Sequence, residues 1–460
     1  MHLRHKACLD VLRKYGVPEN IIIHSLAVCD VATYLAQRLR EAGEKVDVDL
    51  VASAALLHDV GKAKAVVERF PTLDHAEASA AIVSMERLPE VAAPIARHLL
   101  NSPLDKSFPP STWEDKVIWY ADKTTRFRYI GLRRRMWDLM VRHRSEARTI
   151  SMVLPHATAM ERSIFSKGSL AGIKPSELGR LVARRPAGYM ESAIGTTYDY
   201  SVEIQDMMAQ VSAAGFSSVS LAGGLVAHSA YDTTEGRAVL ARLAQKTGVA
   251  ISSVHAPFAH DMSSDLEVER CAAVAGAVMA CRAAADVGAP VVIVHPHAWM
   301  DRATNEKVHL ALSSMREIME QCPDGVRVAV ENLPSDGTQI VLSAILDQFG
   351  SERVGFCYDT SHHNLRPREF DFLGEFGSRL YTVHVSDNLG SKDDHQIPGE
   401  GEIDWHAFAG RFGALDFEGP FLLEVETRMS RIKESPDFLA QCYLKADWLL
   451  ALANRLGSVE

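Results

Sequence analysis

His24, the adjacent pair His58-Asp59 and Asp122 are residues in the first third of the chain whose types could do chemistry together. A neighbouring His and Asp can both reach one ion from the end of a helix, and an outer His and Asp can close the shell from other helices. Imidazole with carboxylate suits a divalent ion of hard to borderline character. A second set stands at the ends of short apolar runs: His255, His295, Glu331, Asp359, His384 and Glu424. Charged groups are seldom buried unless paired or liganded, so metal-capable side chains at six successive run ends are not explained by packing.

The elements that must position these residues differ between the two sets. From about 1 to 182 apolar residues recur at three- and four-residue spacing, as in IIIHSLAVCDVATYLAQRL, VDLVASAALLHDV and VIWYADKTTRFRYI, which predicts helices throughout. Beyond ARRPAGY the texture changes to Val- and Ile-rich runs separated by amphipathic stretches, the pattern of βα units. Eight strands are predicted: 190–195, 217–222, 249–255, 290–295, 326–331, 354–359, 380–385 and 420–426, with a helix in each interval. Eight such units in about 270 residues match a closed barrel, which places its active site at the C-terminal ends of its strands. The expected architecture is an all-α domain over 1–182, a linker at 183–188, and an α/β (β/α)8 barrel over 189–460. The last segment, LAQCYLKADWLLALANRL, reads as a closing helix whose apolar face, with Leu439, Tyr443, Leu449 and Leu452, serves either barrel core or a contact in a homo-oligomer.

Composition narrows the class. A chain of 460 residues exceeds what one core usually supports, and 47% hydrophobic with 23% charged residues is ordinary for a soluble protein. No run approaches the roughly 20 apolar residues of a membrane helix. The polar start MHLRHKACLD lacks the features of a secretory signal, and seven scattered cysteines without a CxxC pair argue against disulfides and thiolate zinc, so a cytoplasmic location is expected. A net charge of -10 speaks against a bulk electrostatic grip on nucleic acid. The concentrated basic stretch, Arg126 to Arg135, is either a solvated helix face or an anion-binding edge, since arginine forks suit phosphate oxygens.

The order His24, His58-Asp59, His75, His98, Asp122 resembles the HD superfamily of metal-dependent phosphohydrolases. The resemblance over roughly 15–130 is to bacterial HD hydrolases of diadenosine tetraphosphate, through His24-Ser25-Leu26, the His58 to Lys62 element, and Ala121-Asp122-Lys123 followed by Arg126. It implies two ions, Fe or Mn, with His75 and His98 completing the second, and a hydroxide delivered to phosphorus. Asp59 and Lys62 would be catalytic, and Lys62 and Arg126 would hold phosphate. A few HD relatives are instead di-iron oxygenases.

VHAPF (254–258), VIVHPH (292–297), VENL (330–333), YDTSHHN (358–364), VHVSDN (383–388), DDHQIPGEGEIDW (393–405) and LLEVET (422–427) resemble the xylose-isomerase-like barrel superfamily. That superfamily holds sugar isomerases and epimerases together with endonuclease IV. The isomerase likeness implies one Mn, Mg, Co or Zn on Glu331, Asp359, His384 and Glu424, with Glu331 and Glu424 exchanging a proton as acid and base. The endonuclease IV likeness implies three Zn, drawing in His255, His295, His362, Asp393 and His395. One departure is Val219-Ser220-Leu221-Ala222, where sugar epimerases often close the second strand with an acid.

Together these readings make a bifunctional metalloenzyme acting on a phosphorylated small molecule, its HD domain hydrolysing a phosphate ester or anhydride of a nucleotide or small metabolite and its barrel isomerising or epimerising a sugar or sugar phosphate. A phosphodiesterase barrel, a barrel that binds without turnover, and a regulatory pairing of the domains are the competing readings.

Overall fold

The computed structural model describes residues 3–297, 304–366 and 368–457. The domain limits expected at residues 1 and 460 lie outside that range. Residues up to Arg184 form one compact unit and those from Arg185 onward a second. No helix among the described residues is long and apolar enough to cross a membrane.

The first unit is built of helices. Those that carry the candidate site have strong entry signals. Asp47 caps Val48–Leu57 by accepting from the Leu50 amide at 3.0 Å, while Asp74 and Thr112 form capping boxes at His75–Met85 and Trp113–Asp122. Each cap satisfies amides that a helix leaves unpaired, and so fixes where the first turn begins. The long helix Glu19–Glu41 buries Val28, Val31, Leu35 and Leu39 against Leu56, Leu57 and Val117 in a single core.

Part of the basic stretch departs from the expectation of a solvated face. Arg126 and Arg135 are buried, and both bind the carboxylate of Asp138, at 3.2 and 2.5 Å. A guanidinium excluded from water needs such a partner, and one aspartate serves two.

The second unit is an eight-stranded parallel barrel: β1 Ser192–Gly195, β2 Ser218–Leu221, β3 Ala250–His255, β4 Val291–Val294, β5 Arg327–Glu331, β6 Val354–Asp359, β7 Leu380–His384 and β8 Phe421–Leu423. The ladder runs β7-β6-β5-β4-β3-β2-β1-β8. The ring closes where the Val385 amide donates to Leu422 O at 2.9 Å and the Glu424 amide to Val385 O at 3.1 Å. β1, β2, β4 and β6 are buried at every position, as strands covered on both faces must be. All eight strands lie inside the predicted windows, but 420–426 shortens to Phe421–Leu423 because loops take over its later amides. Glu426 donates to His395 O and Thr427 to Tyr198 O.

The closing helix is Ser435–Leu456. Leu439, Tyr443, Leu449 and Leu452 are all buried within the unit, so its apolar face is barrel core rather than an exposed contact. Phe438 on the same helix is fully buried and stacks on Tyr198, with ring centroids 6.5 Å apart. Truncating a buried phenylalanine removes its transfer energy and leaves a cavity, about 3–5 kcal/mol in all. Phe438→Ala is therefore expected to lower the unfolding free energy of the barrel, read from denaturant titration, by that much. A loss below about 1 kcal/mol would mean that this helix does not complete the core.

Candidate metal centres

In the first unit the candidate residues come from helix ends. His24 lies within Glu19–Glu41, His58 and Asp59 follow the end of Val48–Leu57, His75 opens His75–Met85, His98 follows Ala92–Ala96, and Asp122 ends Trp113–Asp122. All six converge. Around Asp59 Oδ2 and Asp122 Oδ1 stand the Nε2 atoms of His24, at 3.6 and 3.2 Å, and of His58, at 3.4 and 3.7 Å. Around the other oxygen, Asp59 Oδ1, stand the Nε2 atoms of His75 and His98 at 3.7 and 3.6 Å. Asp59 thus faces two groups with its two oxygens.

The ring orientations show what the arrangement fits. His24 Nδ1 donates to Arg126 O at 2.6 Å, His58 Nδ1 to Ala55 O at 2.8 Å, and His98 Nδ1 to Ile95 O at 2.6 Å. A carbonyl only accepts, so in the neutral ring the proton sits on Nδ1 and Nε2 presents a bare lone pair. Yet His24 and His58 Nε2 are 3.3 Å apart. Two facing lone pairs beside Asp59 Oδ2, with Asp59 Oδ1 on the other side a buried oxygen without a hydrogen-bond partner, make a donor set suited to cations.

Lys62 Nζ lies 2.7 Å from Asp59 Oδ2 and its side chain is 41% exposed. Arg126 stands beside the site mainly through its carbonyl, since its guanidinium is on Asp138. Sequence reasoning missed Lys123, a buried lysine paired with Asp122 Oδ2, although it stands inside the quoted Ala121-Asp122-Lys123 motif.

In the barrel, all nine candidates fall into one connected cluster hung on Glu331. Its Oε2 faces His255 Nε2 at 3.2 Å and His295 Nε2 at 3.3 Å. Its Oε1 faces His384 Nδ1 at 3.0 Å and His362 Nδ1 at 3.4 Å. His384 Nδ1 also meets Glu424 Oε2 at 3.0 Å and Asp359 Oδ2 at 3.8 Å, three carboxylates at one ring nitrogen. A single N–H cannot serve three acceptors, and Asp359 Oδ2 is buried without a hydrogen bond. Beyond these, His362 Nε2 and His395 Nε2 flank Asp393 Oδ2 at 3.5 and 2.7 Å. The rings are again held from behind, His255 on Ala256 O at 2.8 Å, His362 on Asn332 O at 2.8 Å and His395 on Glu424 O at 2.9 Å.

Crowded carboxylates leave their mark on the protein's charges. Burial, opposed by the His362 charge and reinforced by Glu331, Asp393 and Glu424, pushes Asp359 up to about 7. Burial works against the His362 cation, but Asp359, Asp393 and Glu331 hold it up at about 10. Such a cluster takes up positive charge.

Asn332 was missed by sequence reasoning. It sits in the quoted VENL motif, accepts from the Asp359 amide at 2.8 Å and donates to Asp359 O at 3.0 Å, which ties β6 to the end of β5. Phe258 of VHAPF, 47% exposed, stacks on His295 at 4.9 Å.

The family model described as Xylose isomerase-like TIM barrel matches residues 208–442. The chain belongs to that family. A second model, the HD domain, matches residues 21–126, so both likenesses read from the motifs hold at the level of superfamily. Curated relatives include an uncharacterized protein of Sinorhizobium fredii, 32% identical over 158 residues, 32% of this chain and 50% of that one. An uncharacterized protein of Methanocaldococcus jannaschii is 28% identical over 194 residues, 39% of this chain and 66% of its own. A probable endonuclease 4 of Natranaerobius thermophilus is 32% identical over 137 residues, 25% of this chain and 48% of its own. The chain thus spans about half to two thirds of the length of these relatives. Among solved structures, a D-tagatose 3-epimerase-like protein aligns with 55% of this chain and 97% of its own at 23% identity and a TM-score of 0.46. Both superfamilies generally depend on divalent metals, and among the described residues three donor groups in the first unit and two overlapping ones in the barrel, His255-Glu331-His384 and Glu331-Asp359-His384-Glu424, bring ligand atoms within 4.8 Å of one another.

One position tests how the first centre is held. A Cβ added at Gly61 would lie 2.2 Å from the carbonyl oxygen of His75 and 2.8 Å from Ser79 Oγ, the atom that accepts from the Gly61 amide and donates to His75 O. Gly61→Ala must therefore push the start of helix His75–Met85 away from Asp59 Oδ1. Lost support of a ligand typically costs 10–100-fold in metal affinity. We expect a drop of about that size for the more weakly held ion in a competition titration with a chelator, and an unchanged titration would show that Gly61 does not set the position of His75.

Proposed function

We propose that the chain is a bifunctional metalloenzyme: 1–182 an HD unit that hydrolyses a phosphate ester or anhydride of a nucleotide or small metabolite, 183–188 a linker, and 189–460 a barrel that cleaves a phosphoester. The sharing of Glu331 carries the barrel half of this reading. One carboxylate faces two imidazoles with Oε2 and the His384 group with Oε1, and Asp393 gathers a third group with His362 and His395. Three donor groups fit three zinc ions better than one, and the name of the endonuclease 4 relative points the same way. The net charge of -10 favours a small phosphorylated substrate over nucleic acid.

Divalent ions at these groups would polarise a phosphoryl oxygen and acidify water. The protein's own part is to hold and orient. In the HD unit, Asp59 joins the two halves, with Fe or Mn as the expected pair, and Lys62 is the exposed cation that reaches an incoming phosphate. Arg126 acts through its carbonyl, which fixes the His24 ring, and Lys123 offsets the Asp122 charge. In the barrel, backbone carbonyls behind His255, His362 and His395 keep their Nε2 atoms on the cluster.

A second reading has its own support. Glu331, Asp359, His384 and Glu424 alone bring their ligand atoms within 4.8 Å of one another, enough for a single ion and for isomerisation or epimerisation of a sugar or sugar phosphate. There Glu331 and Glu424 would pass the proton between substrate carbons. Elemental analysis separates the two. Under the phosphoester reading Glu331→Ala costs the protein the two zincs whose donor groups it joins and lowers phosphodiester cleavage on the order of 10²- to 10³-fold. A loss of one ion, with cleavage absent from the start and ketose interconversion present, would install the second reading instead. His58→Ala with Asp59→Ala should cost two further ions and the hydrolysis of phosphate esters or of dinucleotides to their nucleotides. Oxygen uptake in place of hydrolysis would make the HD unit an oxygenase.

A further inference from the structure

The loop that delivers Asp393 and His395 has no ladder to hold it. β7 ends at His384, and the next regular element, the helix Trp405–Gly413, begins only at Trp405. Between them Asp387 is fully buried, and its carboxylate accepts four hydrogen bonds from this one stretch. Oδ1 takes the amides of Asn388 at 3.0 Å and Ile403 at 3.2 Å, and Oδ2 takes the Gly399 amide at 2.7 Å and the Trp405 indole at 2.9 Å. Its backbone exchanges both hydrogen bonds with Gln396, each 2.9 Å, directly after His395.

The rest of the GEGE segment is shaped around this carboxylate. A Cβ at Gly401 would come within 2.3 Å of Asp387 Oδ1, so only glycine lets the chain pass. His395 takes a positive φ of 47°, a conformation a histidine holds only where its surroundings determine it. Its surroundings are the Gln396 pairing on one side and, on the other, Glu424 O behind its Nδ1 and the Glu426 amide on its own carbonyl, both at 2.9 Å.

We infer that Asp387 is a positioning residue for the third donor group, and that the ion held by His362, Asp393 and His395 depends on it while the two groups on Glu331 do not. The Glu331 groups are supplied by β3 to β8 and the residues that directly follow them, whose places the ladder fixes. His362 is set by Asp359, which accepts its amide at 2.7 Å, and by Asn332. Asp393 and His395 alone rest on the Asp387 loop. The inference rests on the phosphoester reading, in which a third ion exists.

The test is elemental analysis of the full-length protein, zinc-loaded and dialysed, as wild type, Asp387→Asn and His395→Ala. Asparagine keeps the size of the side chain but turns an NH2 toward at least one pair of donors. Asp387→Asn is expected to carry one ion fewer than wild type, matching His395→Ala, with unchanged thermal unfolding of the barrel within a few degrees. Hydrogen exchange adds a readout that does not depend on metal: the Gly399 and Ile403 amides should lose protection while those of β5 and β6 keep theirs. Equal ion counts in wild type and Asp387→Asn would overturn the inference alone. Loss of every barrel ion in Asp387→Asn would also overturn it, by showing that Asp387 supports the whole barrel. A wild-type barrel with a single ion would remove the phosphoester reading and this inference together.

Discussion

A buried carboxylate whose two oxygens each face a different pair of imidazoles is the interaction on which both units depend. Asp59 is placed in this way among His24, His58, His75 and His98, and Glu331 among His255, His295, His362 and His384. Ionised carboxylates taken out of water are costly unless paired, and in the first unit burial keeps His24, His75 and His98 toward the neutral form, in which they offer little charge in return. Such an arrangement persists only if the fold holds it rigidly and if positive charge is drawn to it. Lys62 and Lys123 supply part of that charge in the first unit.

Rigidity comes from backbone behind the rings. In six of the histidines a carbonyl accepts from Nδ1 and leaves Nε2 aimed at the cluster, so ring orientation is inherited from helix ends and strand ends rather than from side-chain packing. The carbonyls of Ala55 and Ile95 each belong to the last turn of a helix, where the regular ladder of amides runs out, and Ile95 O takes the His98 amide at 3.2 Å as well as the His98 ring. The helix terminus therefore provides both the ligand and the group that orients it.

The same logic explains what was legible in the sequence. His58 and Asp59 announce themselves as a pair at the end of an apolar helical run, and six of the barrel side chains stand at run ends that the βα pattern locates. Strand placement was legible because parallel barrel strands are apolar on both faces. Whether Arg126 to Arg135 is a solvated face or an anion-binding edge stayed open in the sequence, since charge alone does not show that Arg126 and Arg135 are buried on nearby Asp138. Lys123, Asn332 and Asp387 were in plain view inside quoted motifs. Lys123 pairs with the residue just before it, and what hid its role is that the charge of Asp122 is buried only in the fold, while Asn332 and Asp387 act through Asp359 and the GEGE loop, contacts that the motifs do not spell out.

The two centres reach the same solution by scaffolds with different tolerances. In a barrel the strands lie about 4.8 Å apart, so side chains at successive strand ends arrive at ligand-sized separations as a consequence of the ladder. A helical unit has no such ruler, and its six ligands come from five helices whose relative heights must be set one by one. Caps at Asp47, Asp74 and Thr112 fix where three of those helices begin, and the glycine at 61 lets a fourth contact close to backbone distance. Substitutions away from the ligands should thus disturb the helical centre more readily than the Glu331 groups. Within the barrel the same argument singles out the Asp393 and His395 loop, the one part of that centre that the ladder does not measure.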